Sequence, residues 1–264
     1  GATSDMALPL IKKFNNDGSE IYAVSRKKLD LEYEKLYKFN CDLSLEENIN
    51  SLFEKFPPIE FDAVINFQGV AISSPVEFLQ KEELQKQLDI SLFSLLAILK
   101  NLNGKIKKDG IIINISSMAS FGIYPFLSPY SMAKASADIL LNCYETETGI
   151  KTVSIKPGVV RTKFWEFCVK ENGENFEKFK GKYEKAGEFL KSNALKNANK
   201  GILPEDVSKV IYKAVLSKNP KSSITVGQDA FIASIVSNFK GRLLFAIIRK
   251  ILKKRIKGFL NEKK

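Results

Sequence analysis

Histidine is absent from this 264-residue sequence. Its absence excludes imidazole acid/base chemistry, histidine-containing triads and histidine-ligated metals, and it leaves Tyr and Lys as the titratable candidates near neutral pH. Cysteine is also scarce. The three residues Cys41, Cys143 and Cys168 are widely spaced and give neither a disulfide framework nor a metal-ligand pattern. We therefore predict no metal site and a reducing compartment.

Long apolar runs are absent from residues 231–260, where no run approaches the roughly 18 residues of a membrane-spanning helix. The net charge of +11 is concentrated at the C-terminus. Ten basic residues over 240–264 oppose one acid, Glu262, so this segment carries +9 and residues 1–239 carry the remaining +2. Apolar residues recur there at helical spacing, opposite a face of Lys and Arg. The pattern predicts a basic amphipathic segment over 231–264.

An anionic membrane surface is the partner that this segment suits best, through residues 240–264. Packing against a second subunit is the alternative, and we expect a homo-oligomer. The interleaved large aliphatic side chains argue against nucleic acid. The predicted location is cytoplasmic, with peripheral attachment to the inner face of a membrane.

The rest of the chain alternates apolar runs with amphipathic stretches, which predicts an α/β fold, a doubly wound parallel sheet that is Rossmann-like. One catalytic domain is expected over 1–230, followed by the C-terminal amphipathic helical extension. The predicted strands are 20–25, 37–40, 61–66, 110–116, 151–155 and 222–226; the predicted helices are 5–16, 44–55, 80–104, 129–147 and 204–217. Ser44 and Glu47 form a capping-box pattern, and Pro204 suits a first helical turn.

A Ser, a Tyr and a Lys carry the strongest chemical signal. Ser117 follows an apolar strand, and Tyr130 lies thirteen residues later in Tyr130-Ser-Met-Ala-Lys134. On a helix, Tyr130 and Lys134 share one face, one turn apart. An ammonium beside a phenol favours the phenolate, so we expect Lys134 to lower the pKa of Tyr130 toward neutrality. Tyr130 could then act as an acid or base on an alcohol or carbonyl oxygen, which Ser117 would hold.

This arrangement resembles the short-chain dehydrogenase/reductase family over nearly the whole chain. The resemblance implies that Ser117 orients the substrate carbonyl, Tyr130 is the acid/base, and Lys134 binds the nicotinamide ribose. Ser116 adjoins Ser117, but the thirteen-residue spacing favours Ser117. The family usually has an Asn in a proton-relay position where this chain has Ser91. The implied function is reduction of a ketone or oxidation of a secondary alcohol with a nicotinamide cofactor. A family scaffold that has lost turnover and a sugar epimerase or dehydratase are the alternatives.

The family's Gly-x-x-x-Gly-x-Gly turn corresponds here to Gly1, Asp5 and Ala7, so two of its three glycines are replaced. The resemblance places Thr3, Ser4 and Met6 in the same cofactor turn. A carboxylate near a pyrophosphate is repulsive, so we expect Asp5 to cap the first helix and point away. In the family a central strand precedes this turn, and we expect that strand upstream of Gly1.

Further positions of the resemblance imply a cofactor site. Arg26 and Lys27 follow the second strand of the family pattern and would meet the 2′-phosphate of NADP, with NAD as the alternative. The remaining implied contacts are Asp42 and Leu43 for the adenine, Asn66 and Gly69 for the adenosine, and Pro157, Gly158, Val160 and Thr162 for the nicotinamide carboxamide.

Residues 163–200 lie where the family places a substrate-covering segment. Phe164, Trp165, Phe167 and Cys168 would line an apolar site or anchor the lid to the domain, and the sequence leaves both open. Basic C-terminal extensions rich in Leu and Ile occur in family members resembling polyprenyl-linked sugar keto-reductases. The likeness suggests a lipid-linked or membrane-proximal substrate.

Overall fold

The computed structural model describes residues 1–238, 250–251, 254 and 257–258. Within these residues strands and helices alternate. The strands are β1 (Ile21–Ser25), β2 (Leu36–Asn40), β3 (Phe61–Asn66), β4 (Ile106–Ile115), β5 (Lys151–Pro157) and β6 (Ser223–Val226). The helices are α1 (Ala7–Asn16), α2 (Glu46–Glu54), α3 (Lys81–Leu88), α4 (Ser94–Asn101), α5 (Ser128–Thr148), α6 (Phe164–Glu171), α7 (Glu184–Asn197), α8 (Pro204–Leu216) and α9 (Gln228–Asn238).

The named strands pair in parallel. β1 pairs with β2, and β3, β4, β5 and β6 form a four-stranded sheet in that order. The first two residues lie between these sheets at their carboxyl ends. The Ala2 amide donates to the Val24 carbonyl at 2.9 Å, and Gly1 lies against Phe67, the residue after β3. The carboxyl ends of β1 and β3 are therefore connected through residues 1–2.

Strand β4 shows why helices cover both faces of the sheet. Ile112 packs with Leu95 of α4 and Leu141 of α5, whereas its neighbour Ile113 packs with Ile211 of α8. Successive side chains of a strand point to opposite faces, so one apolar run fills two cores. All five residues are buried, and burying each such side chain stabilises the fold by about 1.5–3 kcal/mol. The predicted α/β doubly wound fold is confirmed.

One local prediction is wrong. Helix α2 begins at Glu46 without a side-chain cap, because the Ser44 amide and hydroxyl both donate to the Asp42 carboxylate, at 3.0 and 2.8 Å. The helix predicted over 80–104 is observed over 81–101, and it contains a π-helical turn at Asp89–Phe93. Such turns often mark functional sites. The predicted placement of Pro204 in the first turn of α8 is confirmed.

The C-terminal part contains α9 and the first residues of the predicted tail. The domain boundary predicted at residue 230 lies inside α9. This helix exposes Phe231, Ile232 and Ile235. Most of the predicted basic segment over 240–264 lies outside the described residues. Across the ranges that are described, no helix combines the length and apolar character required to cross a membrane.

Candidate active site

A cavity of about 1390 Å³ opens at the carboxyl ends of the strands. This is the edge where open parallel sheets bind ligands. Most of the predicted site residues line it: Gly1, Thr3, Ser4, Asp5, Met6, Arg26, Lys27, Asp42, Leu43, Gly69, Ser117, Tyr130, Lys134, Pro157, Gly158, Val160 and Thr162. Asn66 and Ser91 do not. The structure therefore brings most of the predicted catalytic and cofactor positions to one cavity.

Ser117, Tyr130 and Lys134 meet at one end of this cavity. Ser117 follows β4 and begins a short 3-10 turn, where its hydroxyl accepts the Ala119 amide at 3.1 Å. Tyr130 and Lys134 lie one turn apart on α5. The Lys134 ammonium donates to the Ile115 carbonyl at 2.8 Å, and its Nζ is 5.9 Å from the Tyr130 ring centroid. The last carbonyl of β4 thus fixes the lysine beside the tyrosine.

The pKa of Tyr130 contradicts the expectation from the sequence. Burial of the phenol raises this pKa to about 12, a hydrogen bond with Ser117 opposes the rise, and Cys168 adds to it. Burial also lowers the pKa of Lys134 to about 8, although Asp138 acts to raise it. Desolvation disfavours the charged form of each group and is the largest cause of both shifts. The expected lowering of the Tyr130 pKa toward neutrality is therefore wrong, because burial raises this pKa instead.

Ser116 and Ser117 differ in what they contact. The Ser116 amide donates to the Ile155 carbonyl at 2.8 Å, so its backbone belongs to the sheet, and its buried hydroxyl has no protein partner. Ser117 interacts with Tyr130. This contact supports Ser117 rather than Ser116, as its spacing from Tyr130 predicts.

Ser91 lies in the π-helical turn, buried behind the cavity wall. Its hydroxyl accepts a hydrogen bond from the side chain of Gln87 at 2.9 Å. The same fully buried amide donates to the Val70 carbonyl and accepts the Ile72 amide, each at 2.9 Å. Gln87, which the sequence did not single out, thus holds the chain after β3 in place. A relay role for Ser91 stays a prediction, and its observed contact is structural.

Asn66 is likewise buried behind the cavity. Its side-chain amide donates to the Asn114 side chain at 2.9 Å, and its oxygen accepts the Gln68 amide at 3.1 Å. Asn66 therefore links the ends of β3 and β4 and shapes the following turn. Gly69 lies in that turn, where a Cβ atom would be 3.4 Å from the Lys134 Nζ. A side chain at position 69 would therefore contact the Lys134 ammonium.

The far end of the cavity is cationic. Arg26 and Lys27 follow β1 and are exposed. The Arg26 guanidinium lies 3.9 Å from the Asp42 carboxylate. Burial acts to raise the pKa of Asp42, but the Ser44 hydrogen bonds and Arg26 outweigh it and hold this pKa below its usual range. The donor set at this end suits a phosphate on a ribose.

The turn after β5 is fixed from α9. The Asp229 carboxylate accepts the Val159 amide at 2.7 Å and fills the space beside Gly158, where a Cβ atom would overlap it. Trp165 donates its indole N–H to the Val160 carbonyl at 2.8 Å. Sequence reasoning missed Asp229, because an acid in a first helical turn is ordinary. Val159, the residue that Asp229 contacts, is 70 positions away in the sequence.

The predicted cap at Asp5 is wrong. Helix α1 begins after Met6 without a side-chain cap. The Asp5 carboxylate instead accepts the amide of Lys163 at 2.7 Å, across the cavity. Gly1 fits a close backbone approach, because a Cβ atom there would lie 2.9 Å from the Phe67 Cβ. The close approach at Gly1 and the cations Arg26 and Lys27 together fit a dinucleotide.

The first helix of the predicted lid, α6, is bound to the domain at its C-terminal end. The side chain of Asn172, just after α6, accepts the Ser73 amide and donates to the Ala71 carbonyl, each at 2.7 Å. Cys168 accepts the Ala71 amide through its sulfur at 3.3 Å. Phe164, Trp165 and Phe167 line the cavity. Phe164 and Phe167 also pack against the buried cluster that contains Cys168, so they both line the cavity and anchor this segment.

Comparisons with known sequences show which proteins this chain is similar to. A family model described as short chain dehydrogenase matches residues 1–173. A 3-amino-tetrahydro-pyrrolizinone reductase of Xenorhabdus hominickii is 24% identical over 245 residues, covering 87% of this chain and 86% of that protein. An NADPH-dependent 3-dehydrocapnine reductase of Ornithobacterium rhinotracheale is 24% identical over 277 residues and covers 96% of both.

Solved structures show the same fold. A short-chain dehydrogenase from Streptomyces avermitilis gives a TM-score of 0.74 at 17% identity, over 96% of this chain and 95% of that one. A short chain dehydrogenase from Burkholderia cenocepacia in complex with NADP gives 0.69 at 18% identity, over 97% and 94%. With the family model matching more than half of its residues, this chain belongs to the short chain dehydrogenase family of oxidoreductases.

Proposed function

We propose that this chain is an NADP(H)-dependent oxidoreductase that interconverts a ketone and a secondary alcohol. One observation carries the proposal. Ser117, Tyr130 and Lys134 line the same cavity as Arg26 and Lys27. A dinucleotide bound between those ends would reach from the phosphate-binding cations to the proton donor.

Residues along the cavity would hold the cofactor in parts. Arg26 and Lys27 would bind the 2′-phosphate, and Asp42 with Leu43 would border the adenine. The turn from Pro157 to Thr162 would hold the carboxamide. Bound NADPH would supply the hydride that reduces the carbonyl carbon. The choice of NADP is supported by the NADPH-dependent relative and the NADP-bound neighbour.

Proton transfer falls to the residues of this chain. Tyr130 is protonated at neutral pH, since its pKa is raised to about 12, and it can donate that proton as negative charge develops on the carbonyl oxygen. Ser117 would hold the oxygen at the donor. The Lys134 ammonium would stabilise the phenolate that the transfer leaves behind. A protonated Tyr130 suits the reduction, in which the phenol gives up its proton.

The substrate that this cavity fits is a ketone with an apolar body. Val70, Ile90, Phe164 and Phe167 border the cavity beside Tyr130. At the mouth, Lys86 of α3 pairs with Glu171 of α6 at 3.0 Å. Apolar walls with a polar entrance favour a substrate that buries its carbonyl end and keeps a polar end outside.

We further propose that residues 240–264 bring the enzyme to an anionic membrane surface on its cytoplasmic side. Phe231, Ile232 and Ile235 of α9, which precede the basic segment in the sequence, are exposed apolar residues. Apolar anchors beside cations are the combination that binds lipid headgroups. Co-sedimentation with anionic vesicles should fall when the chain ends near Val236. Equal binding by both forms would contradict the proposal.

The enzymatic proposal is tested by NADPH oxidation with a panel of ketones of increasing apolar size. Turnover should rise with apolar size and should be stronger with NADPH than with NADH. Absence of NADPH oxidation with every ketone, by protein that binds NADPH, would favour a family scaffold without turnover.

A further inference from the structure

Asp5 stands where the family's turn has its second glycine, and it makes a contact that no glycine could make. Its carboxylate accepts a hydrogen bond from the backbone amide of Lys163 at 2.7 Å. Lys163 is the residue directly before α6. Both residues line the cavity, one on the cofactor turn and the other at the start of the lid. They are 158 positions apart. The bond therefore joins the two sides of the groove directly.

The contact is favourable for α6. The first amides of a helix lack intrahelical acceptors, and the helix dipole favours a negative charge there. No side chain of the residue preceding α6 caps this end. Asp5 supplies the acceptor from another part of the chain. The helix start is thus completed only when the lid lies against the cofactor turn.

The two ends of α6 are held differently. At its C-terminal end, the buried Asn172 binds the Ala71 carbonyl and the Ser73 amide. At its N-terminal end, Phe164 packs against the apolar cluster around Val70. The hydrogen bonds there are those of the Asp5 carboxylate and the Trp165 indole, and the Asp5 bond is exposed. An exposed bond breaks and reforms more readily than a buried network. The N-terminal end is therefore the end that can open over the groove.

We propose that Asp5 is a positioning residue that holds the start of α6 closed against the cofactor turn, and so links the cofactor end of the cavity to its substrate end. The proposal rests on the proposed function only in naming NADP as the occupant of the groove. Its cost is a negative charge near a pyrophosphate. The hydrogen bond to Lys163 directs that charge at a helix start.

Two substitutions separate the bond from the charge. Asp5→Asn removes the charge and keeps an oxygen acceptor, whereas Asp5→Ala removes both. Hydrogen exchange of the Lys163 amide is measured on the full chain without cofactor. It should become about tenfold faster in D5A, as expected for one lost charge-assisted bond, and D5N should keep most of the protection. Asp109→Ala, at an exposed position in β4, is the matched control.

Exchange at Lys163 that is equal in D5A and the native chain would overturn the proposal. Because this measurement needs no cofactor, it tests the role of Asp5 even if NADPH does not bind. A second measurement follows NADPH release by Trp165 fluorescence. D5A should release NADPH about fivefold faster than D5N, since only the acceptor differs between them. Equal release rates in D5A and D5N would also count against the proposed role of the Asp5–Lys163 hydrogen bond.

Discussion

The two ends of the cavity are built differently. At the catalytic end, Ser117, Tyr130 and Lys134 come from one strand–helix unit and keep the family's spacing. At the cofactor end, Asp5 and Arg26 come from separate turns, and the glycine pattern is altered. The chemistry is thus encoded locally, whereas the binding groove depends on contacts between distant segments. Substitutions at the first end should affect turnover, and those at the second should affect binding.

Tyr130→Phe should have the largest effect. The loss of the proposed proton donor at the carbonyl should lower kcat by about a thousandfold, within the range for acid–base catalysis. NADPH binding should be unchanged, because the ring remains. Steady-state rates and equilibrium titrations measure the two quantities. Tyr144→Phe on the same helix is the control, and retained turnover in Y130F would place the acid elsewhere.

Asp229→Ala should weaken the cofactor end from a distance. The Val159 amide would lose its acceptor, so the free energy of unfolding should fall by about 1–3 kcal/mol. The Kd for NADPH should rise, because the turn from Pro157 to Val160 is no longer fixed. Asp229→Asn keeps an acceptor and should lose less. Urea unfolding of both variants measures this free energy. Unchanged stability in D229A would show that the turn does not depend on Asp229.

Arg26→Ala should discriminate between the two cofactors. A charged hydrogen bond to a phosphate contributes about 1.5–3 kcal/mol, so the Kd for NADPH should rise at least about tenfold. The Kd for NADH, which lacks the 2′-phosphate, should not change. Lys28→Ala, at an exposed cation nearby, is the control. An equal loss for both cofactors would contradict a 2′-phosphate site.

The pH dependence of stability tests the desolvation of Lys134. Its pKa is lowered from 10.5 to about 8 in the folded chain, so the unfolded chain binds more protons between these values. The contribution of Lys134 to the free energy of unfolding should therefore rise with pH across this window. Lys134→Met should remove that rise. Urea unfolding at both ends of the window measures it, and an identical pH profile in K134M would contradict a desolvated ammonium.

Lys86→Ala should have the smallest effect. The pair with Glu171 at the cavity mouth is partly exposed, and such pairs contribute less than about 1 kcal/mol. The melting temperature should hardly move, while the KM for ketones with a polar end should change. A large drop in stability would mean that the lid depends on this pair.

Local patterns in the sequence predicted the sheet, its helices and the placement of Ser117, Tyr130 and Lys134 at one cavity. The strand predicted over 61–66 is β3 as observed, and Tyr130 and Lys134 lie on α5 one turn apart. These features depend on apolar periodicity and helical spacing, which a short segment contains. Strand β4 begins earlier than predicted, at Ile106, because Lys107 and Asp109 interrupt the apolar pattern.

The features that sequence reasoning missed depend on distant partners or on burial. Asp5 was expected to cap its own helix and instead caps α6. Asp229 and Gln87 gave no local signal. The pKa of Tyr130 was expected to fall, because charge proximity can be read from spacing whereas the depth of burial cannot. In each case the deciding contact became visible only once the chain was folded.

The most direct test of the central claim is a titration of the native chain with NADPH and NADH, followed by the fluorescence of Trp165, its single tryptophan. This residue lines the cavity and bonds to the Val160 carbonyl. We predict a saturable change with both cofactors and a lower Kd for NADPH. The absence of any change with either cofactor at millimolar concentration, together with no protection of the turn from Pro157 to Thr162, would contradict a dinucleotide site in this cavity.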